Sequence, residues 1–257
     1  MSPVDIAAYI GAAAWAPQIV SWIYQWYVTP QIEVVTGRFA SLGYTRFGPI
    51  FNLNLGFFAK RKAALIDSLQ AVLVHEDGDR HIFQMEGMNE TMSDIADASG
   101  TKTTVSKEQA TLAFRVGTEV FLERFVRFQE TKFHATFDPL VQDAGTAIQF
   151  ERKKGGDIYS RIAGLKEVSA ILDHYEKYFW WKAGTYEVTF RMASPERIKV
   201  SPQRFEIRVT QADVDSLRRN ITQFAPEYEN LIRAGEQGYT FQAVFWDWRS
   251  VPIAHKK

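Results

Sequence analysis

Two histidines and three acids crowd the run His75-Glu76-Asp77-Gly78-Asp79-Arg80-His81, the densest set of potential metal-ligating side chains in the sequence. A metal centre of the zinc type needs three or four such groups converging on one point. Asp77-Gly78 is also the signature of a two-residue hairpin turn. With that turn His75 pairs with Arg80 and Val74 with His81, and because side chains alternate across a strand the two histidines leave on opposite faces. A shared metal is then excluded, and the sequence predicts no metal, no cofactor and no catalytic residue. A loop of three residues would reverse this and keeps open an enzyme whose site is built from His75, Asp77, Asp79 and His81 near the hairpin.

No other constellation carries a reaction. The sequence has no His-Glu-x-x-His pair, no Gly-x-Ser-x-Gly elbow, no phosphate-binding loop and no dinucleotide fingerprint. His134, His174 and His255 are scattered, and a general base needs an orienting partner beside it. Asp213 and Asp215 fall at the start of a predicted helix, where the dipole favours acids. Phe121 to His134 interleaves aromatics with Arg124, Arg127 and Lys132, as single-strand nucleic-acid platforms do, but Glu119, Glu123 and Glu130 neutralise it. Asn89-Glu90-Thr91 and Asn220-Ile221-Thr222 match the glycosylation acceptor pattern, and the second lies on a predicted amphipathic helix, a poor acceptor site.

The totals narrow the partners. Thirty basic and thirty acidic residues cancel, so no net field draws nucleic acid or an anionic membrane, and nucleic acid is not an expected partner. The chain has no cysteine, which removes disulfides, thiolate metal sites and thiol nucleophiles together. An apolar content of 46% is ample for a core.

One stretch differs from all the rest. Ile6 to Val28 contains no ionisable acid or base, and as a helix it would be about 35 Å long, enough to cross a hydrocarbon core. Trp22, Tyr24, Trp26 and Tyr27 gather at its end, as rings do at a water–lipid boundary. Pro17, Gln18 and Gln25 work against a straight lipid-buried span and suit a kinked helix docked on protein. The sequence therefore predicts an apolar N-terminal helix over residues 1–30 whose membrane or partner contacts are Tyr9, Trp15, Trp22, Ile23, Trp26 and Tyr27. Arg38, Arg46 and Lys60-Arg61-Lys62 follow it, so positive-inside bias places the body on the cytoplasmic side of a membrane.

Residues 31–257 form the body, with a subdomain boundary near 150 as one division. Ile50 to Phe57 alternates cleanly, with Phe51, Leu53, Leu55 and Phe57 on one face and Asn52, Asn54 and Gly56 on the other. Leu65 to His75, Arg80 to Met85, Ala110 to Val116, Val120 to Gln129, Thr146 to Phe150, Thr185 to Met192, Arg204 to Thr210 and Tyr239 to Phe245 read as further strands. The polar run Glu90 to Gln109 reads as a functional loop or a hidden short element. Helices are expected over Leu165 to Phe179 and from an N-cap at Thr210, with Asp213 in the capping-box position and Pro226 as a stop. Many short strands and two accessory helices predict a mainly β fold, an antiparallel β-sandwich for which an immunoglobulin-like arrangement is one form. The run from Trp180 to Tyr186 resembles the aromatic-to-tyrosine edge of such sandwiches.

With no catalytic signature, the sequence predicts a non-enzymatic, membrane-associated interaction or scaffold module that meets an unidentified protein partner. The alternative is a soluble subunit of a multiprotein assembly that uses residues 6–28 as a docking helix.

Overall fold

The structure, a computed structural model, describes residues 14–24, 27–96, 102–109, 113–154, 158–201 and 203–256, of which 90–96, 102–109 and 158 are described by their backbone alone. The fold is mainly β. A helix over residues 14–24 (α1) leads to β1 (Gln31–Thr45) and β2 (Gly48–Lys60), followed by β3 (Ala64–Ile66), β4 (Ser68–His75), β5 (Arg80–Ala96), β6 (Lys102–Gln109), β7 (Phe114–Val116) and β8 (Leu122–Glu130). Three helices follow, α2 (Thr131–Lys153), α3 (Ile158–Ala163) and α4 (Lys166–Tyr178). The chain then gives β9 (Gly184–Ala193), β10 (Lys199–Val200), β11 (Phe205–Val209), α5 (Gln211–Arg219), α6 (Phe224–Arg233) and β12 (Arg249–His255).

The strands join into one large sheet that returns on itself, where the sequence suggested two sheets facing each other. From β1 the antiparallel pairings run through β12, β11, β9, β4, β5, β8 and β2, and β2 pairs again with β1. The short β10 adds a parallel contact to the start of β1, and β3 with β7 makes a separate ribbon. Strands from both halves of the sequence alternate here: β9 lies against β4, and β12 against β1.

Strand period explains what fills the ring. Phe51, Leu53, Leu55 and Phe57 are all buried, and so are Leu69, Ala71 and Leu73 on β4. Phe51 meets Phe83 and Phe128 at centroid distances of 6.0 and 6.2 Å, Phe128 meets Phe190 at 6.2 Å, and Phe190 meets Phe205 at 5.7 Å. Five strands thus share one lattice of tilted rings, the offset geometry that ring quadrupoles prefer. A second aromatic group ties helices to the end of β1: Tyr44 lies edge-on to Phe179 and Phe224, and Tyr175 stacks on Phe224 at 3.7 Å.

Several expectations are corrected. Asn52 and Gly56 are buried, so the second face of β2 is covered except at Asn54; Phe121 lies over Gly56. Leu65 is exposed because the strand breaks at Asp67 and β3 turns its other face inward. The polar run from Glu90 is two paired strands, the end of β5 and β6, whose ladder satisfies the backbone. Thr146 to Phe150 is the last part of α2, not a strand. Helix α5 begins at Thr210 with the expected capping box, but Pro226 stands in the first turn of α6, where its missing N–H costs no intrahelical bond. Tyr239 to Phe245 is not a strand; the last strand is β12, with Val251 inward.

Candidate functional site

The hairpin expected to separate its histidines brings them to one face. His75 N–H donates to Asp79 O and Gly78 N–H to His75 O, both at 2.8 Å, so the loop is Glu76, Asp77 and Gly78, with Gly78 at a φ of 94° that favours glycine. Leu73 then pairs with His81 and Val74 with Arg80, so His75 and His81 both follow the inward face of β4 and β5. The choice of a three-residue loop overturns the premise of opposite faces.

Between Asp77 and Asp79 stands a lysine. Lys182 Nζ lies 3.0 Å from Asp77 Oδ2 and 3.1 Å from Asp79 Oδ2. His75 Nδ1 is 2.9 Å from Asp77 Oδ1, and His81 Nε2 is 3.4 Å from Asp79 Oδ2 without the alignment of a hydrogen bond. Among the described residues no three His, Asp or Glu side chains are grouped to hold a metal ion. The ammonium supplies the positive charge that the two aspartates face.

Behind this clasp lies a buried acid. Glu130, 1% exposed, accepts from Trp180 Nε1 at 3.0 Å and lies 2.7 Å from His81 Nδ1. The His81 ring stacks on Trp180 at 3.4 Å with planes 7° apart. Glu130 also stands at the N-cap of α2, where the partial positive charge of the helix start favours an anion. Tyr186 closes the other side, accepting from Lys182 N–H at 2.9 Å and donating to Lys182 O at 3.2 Å.

The electrostatics are those of fixed charges. The backbone N–H of Asp79, then His75 and Lys182, hold the Asp77 carboxyl well below its ordinary value, and Lys182 does the same for Asp79. Asp77 and Asp79 in turn raise Lys182. Burial pushes Tyr186 up to about 12. Burial first, and then the charge of Glu130, pushes the Tyr178 hydroxyl upward. None of these shifts poises its group near neutrality, which is what a general acid or base needs. The arrangement clamps the β4–β5 turn to the start of β9.

The other predicted site is the N-terminal segment. Every residue from 14 to 24 is exposed; Trp15 and Trp22 are each 65% exposed, Ile23 54% and Tyr27 82%. Tyr9 and Trp26 lie outside the described residues. Among the described residues no helix is long and apolar enough to cross a membrane.

A third place escaped sequence reading. Asn52, Glu86, Arg127, Gln129, Trp246 and Trp248 line one cleft, although they come from four separated stretches. The Trp246-Asp247-Trp248 run was its single visible signal.

Compared with known proteins, the chain matches no family, no curated protein and no solved structure.

Proposed function

We propose that the protein is a non-enzymatic interaction module whose β-rich body is held at a membrane by its charge-free N-terminal segment. The observation that carries this reading is the exposure of α1. Trp15, Ile19, Val20, Trp22, Ile23 and Tyr24 are all more than half exposed. Burying a large apolar side chain contributes about 1.5–3 kcal/mol, so these side chains leave on the order of 10 kcal/mol of burial for a surface outside the body. Rings near the end of the segment suit the headgroup layer, and the basic residues that follow favour the cytoplasmic side for the body.

The hairpin at 75–81 supports a structural clasp better than a reaction centre, because Lys182 holds both Asp77 and Asp79. A docking groove on a partner subunit is the second reading, favoured by Gln18 and Ser21 on the exposed helix. The test is fractionation of the full-length chain beside a version lacking residues 1–30, with carbonate and detergent extraction of the membrane pellet. Release by detergent alone, lost on truncation, supports the membrane. A large complex outside the membrane pellet that truncation dissolves supports the groove and overturns the membrane reading.

A further inference from the structure

A cleft of about 730 Å³ opens beside the β1–β2 turn, and neither the clasp nor α1 contributes a residue to its lining. Asn52 is 5% exposed in it, and its Oδ1 has no hydrogen-bond partner. A buried amide oxygen without a donor is costly, and this one lies sealed beneath the floor of the cleft. Its cross-strand neighbour is Arg127 on β8, which also lines the cleft. Glu86 reaches the same space from a bulge in β5: Met85 pairs with Phe128 and Gly87 with Arg127, leaving Glu86 as the extra residue. Bulges of this kind re-aim a side chain. Gln129 Oε1 is engaged by His134 Nε2 at 2.7 Å, which fixes the amide and leaves its NH2 group for other acceptors.

Two indoles complete the wall, and the fold builds them in. Asn220, 1% exposed, accepts from Asp247 N–H at 2.7 Å and donates to Asp247 O at 2.9 Å, so the residue between Trp246 and Trp248 is pinned at both ends. Trp246 packs on Phe224 at 5.2 Å. Trp248 lies over Gly43, where a Cβ would come within 2.5 Å of its six-membered ring, and it remains 43% exposed.

Charge decides the ligand class. Arg46 and Arg127 are matched by Glu86 and Glu227, and Arg46 pairs with Glu227 at 3.2 Å, so the cleft carries no net charge to select an anion or a cation. What it offers is indole surface, a carboxylate and an amide donor. A saccharide ring presents an apolar C–H face and a rim of hydroxyls that both donate and accept. We propose that this cleft binds a neutral saccharide unit, with the ring against Trp248 and its hydroxyls meeting the Glu86 carboxylate and the Gln129 NH2 group.

The test uses the full-length protein with the methyl glycosides of glucose, galactose, mannose and N-acetylglucosamine, read by saturation-transfer NMR and titration. Tetramethylammonium and acetate serve as charged probes. At least one glycoside is expected to bind with a dissociation constant of about 1 mM, weakened about tenfold by Trp248→Ala. Should that variant fail to fold, Glu86→Ala, at an exposed position, takes its place with the same expectation. Binding of none of the glycosides, binding of a charged probe alone, or glycoside binding that the folded variant leaves unchanged overturns the proposal.

Discussion

The side-chain amide of Asn220 holds the backbone of Asp247 from both sides, accepting from its N–H and donating to its carbonyl. This pair replaces a strand ladder for a segment that has none, and the Asp247 carboxylate is held in turn by Arg219 and Ser216. Asn220 is therefore committed to the fold, although it begins an Asn-x-Thr triplet.

Asn220→Ala removes both bonds and leaves two backbone groups unpaired. The expected loss is about 1–3 kcal/mol for each group that stays buried. Urea unfolding measures it, and a change below a few tenths of a kcal/mol would show that Asp247 finds other partners.

Gly43→Ala puts a methyl group where the Trp248 ring lies. Overpacking of this kind costs about 1–3 kcal/mol, and the ring must move. Near-UV circular dichroism and the unfolding midpoint are both expected to change, and an unaltered spectrum would mean that Trp248 does not rest on Gly43.

Tyr44→Phe tests the join between sheet and helices. The Tyr44 hydroxyl donates to Tyr175 O at 2.6 Å, in the last turn of α4. Burial is the chief cause that raises this hydroxyl, so it stays a donor at all working pH values. Its removal is expected to cost about 1–3 kcal/mol with the fold retained. Thermal or urea unfolding checks this, and full stability in the variant would contradict the bond.

The clasp predicts a particular pH dependence. Asp77 and Asp79 are held below their ordinary value of 3.8, so around and below that pH the unfolded chain binds more protons than the folded one. Their contribution is present above 3.8 and lost as pH falls through their folded values. Lys182 is raised above 10.5, so its contribution is present below that pH and lost above it. The contributions of Asp77, Asp79 and Lys182 are then constant between about pH 5 and 9. Lys182→Met is expected to flatten the acid limb of stability against pH, measured by urea midpoints; an acid limb identical to wild type would contradict the pairing.

Local pattern and side-chain chemistry account for what could be read in advance. The alternation of Phe51, Leu53, Leu55 and Phe57 marked both the strand and its buried face. Thr210 and Asp213 marked a helix start because the capping box is local chemistry. Helix α2 was not expected: Pro139 and Gly145 interrupt its pattern, although Phe133, Phe137, Leu140 and Ala144 keep helical spacing. The hairpin site failed on one residue of loop length, since Asp77-Gly78 suits a two-residue turn but a single added residue moves every later side chain to the other face. Lys182 and Glu130 could not be placed beside it, because each arrives through strand pairing across long sequence separations. The cleft was invisible for the same reason: Asn52 and Arg127 meet only through the β2–β8 register.

The most direct test of the account is membrane fractionation of the full-length chain against the chain lacking residues 1–30. The full-length protein is expected to stay with membranes through carbonate and to be released by detergent, while the truncated body is not retained. Recovery of the full-length chain outside the membrane pellet, free of any partner, would contradict it, because the exposed side chains of α1 would then have no surface to meet.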